Sequence, residues 1–100
     1  MTIRTKAHQP AGLPARQVRA IMRVLADPRR FEILKRIAAS QCTACSDLRA
    51  ACPITPATLS HHLKELESCG LIEISRRGKF VDTFFQRAVW DAYLAELQKM

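Results

Sequence analysis

The chain has 100 residues, of which 48% are hydrophobic and 25% are charged, and its formal net charge is +7. This length and composition predict one globular domain and exclude a disordered chain. No apolar run approaches the ~20 residues that a membrane span requires, and residues 1–12 lack the apolar stretch of a secretory signal, so we expect a cytoplasmic protein.

The basic surplus is confined to the start of the chain. Residues 1–36 carry nine Lys and Arg against two acidic residues, whereas residues 37–100 carry seven of each sign. A basic surplus suits a polyanionic partner such as nucleic acid, because each phosphate contact releases counterions.

Residues 1–13 are predicted to be a flexible N-terminal arm and residues 14–100 the folded domain, since the arm has no periodic apolar pattern. The stretch Pro14 to Leu25 has an amphipathic helical stripe at positions 18, 21, 22 and 25. Asp27 and Pro28 then suit the cap and the first residue of a second helix. Its predicted buried face includes positions 31, 33, 34 and 37.

A third, short helix is predicted through Leu48, capped by Thr43 or Ser46 and stopped before Pro53. Thr55 is then the predicted cap of a fourth helix, which runs to about Ser68 and ends at a glycine.

The remaining elements are a hairpin and a last helix. Residues 71–76 alternate apolar and polar side chains, residues 81–86 do so in part, and Gly78 supplies the turn between them. Residues 87–100 return to helical spacing with a broad apolar face. The fold class is therefore mainly α with a β-hairpin wing, in the order α-α-α-α-β-β-α: a winged helix-turn-helix.

In such a fold the helix after the turn enters the major groove of DNA, so it needs small hydrogen-bonding groups on one face and an apolar anchor on the other. The candidate DNA-binding residues on this helix are Thr55, Pro56, Thr58, Ser60, His61, His62 and Lys64. At the hairpin tip the candidates are Arg76, Arg77 and Lys79, which can reach a phosphate or the minor groove.

Plainer interpretations stay open for these residues. Thr55 can serve only as a cap, the two histidines can simply face solvent, and a charged hairpin tip can merely keep a sheet edge soluble.

The string Leu25-Ala26-Asp27-Pro28-Arg29-Arg30, the string Thr58 to Leu66 (TLSHHLKEL) and the run from Gly70 to Lys79 together resemble the ArsR/SmtB family of bacterial repressors. The resemblance covers roughly residues 18–86. It implies a homodimer held through residues 14–25 and 87–98, binding to double-stranded DNA at an inverted-repeat operator, and release by an inducer, often a metal ion or metalloid.

Cys42 and Cys45 precede or begin the short third helix, where the family often carries a Cys-x-Cys metalloid cluster. The spacing here is Cys-x-x-Cys. Two thiolates could bind As(III), Sb(III), Cd(II), Pb(II) or Zn(II) with a third ligand, could form a disulfide that acts as a redox switch, or could have no sensing role.

Other sites are not expected. Cys52 and Cys69 are predicted to be structural, and the last helix lacks a histidine for the family's Asp/His/Glu metal site. No phosphate-binding glycine loop or nucleophile–base spacing points to an enzyme.

Overall fold

The computed structural model describes residues 12–100, so most of the predicted arm (residues 1–11) lies outside the described part. Leu13, which was assigned to that arm, is buried. The described part contains five helices and three strands, α1 (Ala15–Leu25), α2 (Pro28–Ala38), β1 (Thr43–Ala44), α3 (Cys45–Ala51), α4 (Pro56–Ser68), β2 (Ile72–Arg77), β3 (Phe80–Phe85) and α5 (Arg87–Gln98). This architecture confirms the predicted winged helix-turn-helix.

The local sequence explains where α2 and α4 begin. Asp27 caps α2 by accepting from the backbone N–H groups of Arg29 and Arg30, and Pro28 occupies the first position. Thr55 caps α4 in the same way, with Pro56 first. Both prolines stand where a missing N–H costs no hydrogen bond.

Gly70 ends α4 in a conformation that favours glycine, with φ of +90°. The N–H of Leu71 then reaches back to the carbonyl of Leu66 at 3.1 Å. A Cβ at position 70 would meet Nε2 of Gln17 at 2.8 Å, and that amide donates to the carbonyl of Cys69 at 3.0 Å. The glycine therefore lets α1 approach the end of α4.

The sheet contains one strand more than the sequence predicted. β2 and β3 form the expected antiparallel hairpin, and β1 pairs with the other edge of β3, so the strand order is β1-β3-β2. Thr43 lies in β1 opposite Thr83. The predicted capping by Thr43 or Ser46 is wrong, because Ala44 occupies the cap position of α3 and makes no side-chain cap bond.

The hydrophobic core lies between the helices and the sheet. Its fully buried aliphatic side chains come from α1, α2, α3, α4 and the start of β2: Ile21, Ile37, Leu48, Leu59, Leu66, Leu71 and Ile72. Val89 and Tyr93 close the core from α5. Among the described residues, no helix is both long enough and apolar enough to span a membrane.

Two threonines of the β1–β3 pair differ in their hydrogen bonding and give a matched test. The hydroxyl of Thr83, which is fully buried, donates to the carbonyl of Thr43 at 2.8 Å. Within the described part, the hydroxyl of Thr43 is buried and has no partner. Thr83→Val should lower the free energy of unfolding by about 1 kcal/mol, because it removes the buried hydrogen bond to the carbonyl of Thr43.

Thr43→Val should leave the stability unchanged or increase it, because it removes a hydroxyl that makes no bond. Urea denaturation of the two nearly isosteric variants measures both effects. The opposite ranking of the two variants would contradict this description of the third strand.

Candidate nucleic-acid interface

Thr55 and Thr58 form a small hydrogen-bonded unit at the start of α4. The Oγ1 atom of Thr55 accepts from the N–H of Thr58 at 3.1 Å, and the Thr55 hydroxyl donates to Oγ1 of Thr58 at 2.9 Å. The hydroxyl group of Thr55 is thus occupied as a cap. The Thr58 hydroxyl keeps its own hydrogen to donate to another group.

The outward face of α4 carries most of the predicted contact residues. Ser60, His61 and Lys64 are exposed there, and Thr55 and Pro56 are exposed at its start. The inward face buries three leucines of the core, Leu59, Leu63 and Leu66. The helix therefore has the anchored, one-sided arrangement that a groove-binding helix requires.

His62 departs from the prediction, because it lies on the inward face and is only 5% exposed. Its Nδ1 atom accepts a hydrogen bond from Nε of Arg30 at 3.2 Å. The side chain cannot reach a base edge from this position. Burial, followed by the charge of Arg30, lowers the pKa of His62 from its ordinary value of 6.5.

A cleft of about 210 Å³ separates α4 from the hairpin, and we call it the wing cleft. Three cationic side chains line it, namely Arg49 from α3, Lys64 from α4 and Arg76 from β2. Across residues 12–100 no ion pair engages any of the three. Unpaired cations converging on one cleft favour a bound phosphate.

A second, more open groove runs along the other side of α4. It is lined by Arg29 together with Thr55 and Thr58. Thr58 and Ser60 lie about 160° apart around the helix axis, given 3.6 residues per turn. We call Ser60, His61 and Lys64 the exposed row of α4. Cationic side chains thus lie on both sides of this row, with Arg29 on one side and the wing cleft on the other.

The hairpin tip presents its predicted cations unequally. Arg77 is ion-paired with Asp82 at 2.8 Å, and this hydrogen bond is the main cause of its raised pKa. Lys79 is exposed beside Gly78, whose φ is +61°. Phe80 is 58% exposed and lies between the two cations, with Arg77 5.8 Å and Lys79 5.9 Å from the ring centroid.

The predicted cysteine pair is separated by β1. Cys42 precedes the strand and Cys45 follows it as the first residue of α3. Three extended residues span roughly 10 Å, whereas a disulfide needs Cα atoms roughly 4.4–6.8 Å apart. The two thiols are therefore not placed for a disulfide while the residues between them stay extended.

One of these thiols, Cys45, contacts a cation of the candidate interface. The Sγ atom of Cys45 accepts a hydrogen bond from Nη1 of Arg49 at 3.7 Å. In the part of the chain that the structure describes, no group of three or more His, Cys, Asp or Glu side chains gathers as a metal site.

Comparison with known proteins places this geometry in a family. A family of helix-turn-helix domains matches residues 25–75, half of the chain. The arsenical resistance operon repressor of Staphylococcus xylosus is 35% identical over 63 residues. This chain covers 60% of that relative's length, and the match spans 63% of this chain.

Two solved structures share the fold. An ArsR-like transcriptional regulator from Rhodococcus sp. RHA1 is 23% identical, with a TM-score of 0.74 over 83% of this chain and 77% of that one. The homodimeric winged helix-turn-helix DNA-binding domain from Mycobacterium bovis is 29% identical, with a TM-score of 0.65 over 89% and 87% of the two chains.

The chain belongs to the ArsR/SmtB family of winged helix-turn-helix transcriptional regulators. Its relatives are DNA-binding regulators and not enzymes, which agrees with the sequence-based expectation. In this ArsR/SmtB chain the exposed row of α4 and the wing cleft occupy the positions expected of a DNA-reading surface.

Sequence reasoning missed the contributions of Arg49 and Arg29 to this surface. Both arginines lie outside the α4 and hairpin segments that the motif singles out. Only the packing of α3 against β3 brings Arg49 to the wing cleft. The helical spacing of Leu59, His62, Leu63 and Leu66 could have placed His62 on the buried face. It could not have identified the partner, Arg30, which is 32 residues away along the chain.

Proposed function

We propose that this protein is a cytoplasmic repressor that binds an inverted-repeat operator in duplex DNA as a homodimer. The observation that carries the proposal is the exposed row of Ser60, His61 and Lys64, with unpaired cations on both flanks of the helix that bears it. Ser60 and His61 would contact base edges. The cations would contact phosphates of the strands that border the major groove.

The division of labour follows from the chemistry of each group. Hydroxyl and imidazole groups can donate or accept hydrogen bonds at base edges, and this supplies sequence discrimination. Arg49, Lys64 and Arg76 supply affinity that does not depend on sequence, because they neutralise backbone charge. Lys79 at the hairpin tip would extend these contacts outward, while Arg77 would first have to leave Asp82 or share its charge.

The homodimer is supported by apolar surface on the two helices that the resemblance implies. α1 and α5 contact each other, and each leaves a large apolar side chain exposed: Met22 is 46% and Leu94 38% exposed. The related Mycobacterium bovis domain is homodimeric. A two-fold dimer presents two copies of α4, which matches an operator with two inverted half-sites.

For the inducer, we propose that thiol chemistry at Cys42 and Cys45 weakens DNA binding, as suggested by the arsenical resistance repressor among the relatives. Cys45 contacts Arg49 of the wing cleft, so a metalloid or soft metal ion on this thiol would displace that cation from its place in the cleft. Oxidation of the thiol is the alternative trigger and would act through the same contact.

A disulfide between the two cysteines has a structural requirement. Because β1 between them is extended and paired with β3, its residues must leave that pairing before the two Cα atoms come within disulfide distance. The bond from Thr83 to the carbonyl of Thr43 would then be lost. A two-thiol response is therefore expected to disturb the hairpin as well as Arg49.

The DNA proposal predicts a specific pattern of salt dependence. Arg49→Ala, Lys64→Ala and Arg76→Ala should each reduce the slope of log affinity against log salt concentration by about 0.9, the contribution of one phosphate contact. Lys99→Ala, at the end of α5, is the control and should leave the slope unchanged. Fluorescence anisotropy measures this slope on a duplex selected from random sequence. A wild-type protein that binds no duplex at low salt would refute DNA binding.

The dimer proposal predicts that charge on the α1 and α5 faces separates the subunits. The double variant Met22→Glu, Leu94→Glu should sediment as a monomer at micromolar concentration, because two carboxylates would be buried in an apolar interface. Phe80→Glu, which alters an even more exposed apolar residue in the wing, should remain dimeric. A monomeric wild-type protein in sedimentation would exclude this assembly.

The thiol proposal predicts different behaviour for single and double variants. Titration of a protein–DNA complex with As(III), Cd(II), Zn(II) and peroxide identifies the trigger. Cys45→Ser should lose most of the response while keeping its DNA affinity, and the double variant Cys42→Ser, Cys45→Ser should lose all of it. A full response from the double variant would place the switch elsewhere, and Cys69→Ser is the matched control for loss of a thiol.

A further inference from the structure

The side chain of Arg30 connects three parts of the domain: the end of α1, the cap of α2 and the inward face of α4. Its Nη1 group donates to the carbonyl of Val24 at the end of α1 at 3.1 Å. Its Nη2 group lies 3.9 Å from Oδ2 of Asp27, the cap of α2. Its Nε group donates to Nδ1 of His62 at 3.2 Å, and only 12% of the arginine side chain is exposed.

We propose that Arg30 and His62 are positioning residues that hold α4 in its DNA-binding place only while the imidazole is neutral, so that acid conditions loosen α4 and weaken DNA binding. The inference rests on the proposed DNA-binding function. It assigns His62 a role inside the domain, in place of the contact with a base that its sequence position suggested.

The chemistry of the bond requires a neutral ring. Nδ1 accepts from a guanidinium, so its lone pair must be free and the ring proton must reside on Nε2. A proton on Nδ1 would place an N–H group against the N–H of Arg30, with two positive charges in a largely buried site. Protonation of His62 and retention of this bond therefore exclude each other.

The surrounding charges mostly oppose protonation. Arg30 and Arg29 from α2 and His61 on α4 itself act against the imidazolium, while Asp27 at the cap of α2 favours it. Together with burial, these groups lower the pKa of His62 below 6.5. Asp27 has a lowered pKa itself, against the opposing effect of burial, because the N–H groups of Arg30 and Arg29 bond to it.

The direction of the pH effect follows from this shift. A histidine whose folded pKa is depressed takes up its proton more readily when the bond is open than when it is closed. The closed arrangement is therefore fully stable above about pH 6.5, the ordinary pKa. It is lost as pH falls through the lower, folded pKa.

The neighbouring His61 provides a useful contrast, because it is exposed on the DNA-facing side of the same helix. A proton on His61 adds positive charge facing DNA and should tighten binding. A proton on His62 should loosen α4 and weaken binding. The sign of the pH dependence thus separates the positioning role from simple charge attraction.

The experiment measures affinity between about pH 7.5 and about pH 5.5 in a His61→Gln background, by anisotropy at constant salt on a duplex selected by the wild-type protein. Affinity should fall with acidity by up to about tenfold per pH unit for each subunit of the dimer, the limit for one proton per subunit. In the same background, His62→Asn should remove the dependence, because an amide oxygen accepts from Arg30 and does not titrate. Arg30→Lys should bind weakly at both pH values.

Two results would overturn the inference: equal affinity at both pH values in the His61→Gln background, or an undiminished fall in the His62→Asn variant. A wild-type protein that binds no DNA at about pH 7.5 would instead refute the proposed function. In that case, and also if His61→Gln by itself abolishes binding, amide exchange of α4 decides the positioning role alone. Exchange that accelerates on acidification only when His62 is present supports it, and exchange that is unaffected by His62→Asn overturns it.

Discussion

Much of this structure depends on one constraint, that α4 must be held firmly on one face while the opposite face stays free. The inward face packs Leu59, Leu63 and Leu66 into the core, and His62 adds a directional bond to Arg30. Apolar packing supplies most of the free energy but little angular precision, since it is non-directional. In the positioning role proposed for Arg30 and His62, the hydrogen bond between the guanidinium and the ring nitrogen restricts the rotation of the helix about its axis.

That anchoring determines what the outward face can do. If α4 turned by one residue, about 100°, His62 would move toward the surface and the exposed row would lose its place between the two flanks of cations. The flanks themselves come from other elements, Arg29 from α2 and Arg49 from α3. The candidate interface is thus a property of the packed domain and not of the helix alone.

The sequence predicted the elements whose signals are local and failed where a distant partner decides. Asp27-Pro28 and Thr55-Pro56 marked two helix starts correctly, because a cap and its proline act within one turn. β1 has only two residues, too few for an alternating pattern, and pairs with a strand some 40 positions later. Thr43 consequently suggested a helix cap when its real role is in the sheet.

The same limit explains the histidines and the cysteines. Adjacent residues on a helix point about 100° apart, so His61 and His62 had to face different surroundings. Only the packed structure shows that Arg30 lies next to His62. Cys42 and Cys45 suggested a shared ligand because the ArsR/SmtB family often carries a cysteine cluster at this helix. An extended strand lies between the two cysteines, and only Cys45 contacts a cation of the candidate interface, Arg49.

The central claim is that α4 and the wing cleft together face DNA, and a nuclear magnetic resonance titration of labelled protein with a selected duplex tests it most directly. The account predicts that amide signals of residues 57–64, Arg49 and residues 76–79 shift on binding, with those of α5 changing least. Shifts concentrated on α1 and α5, with α4 and the hairpin unaffected, would contradict it.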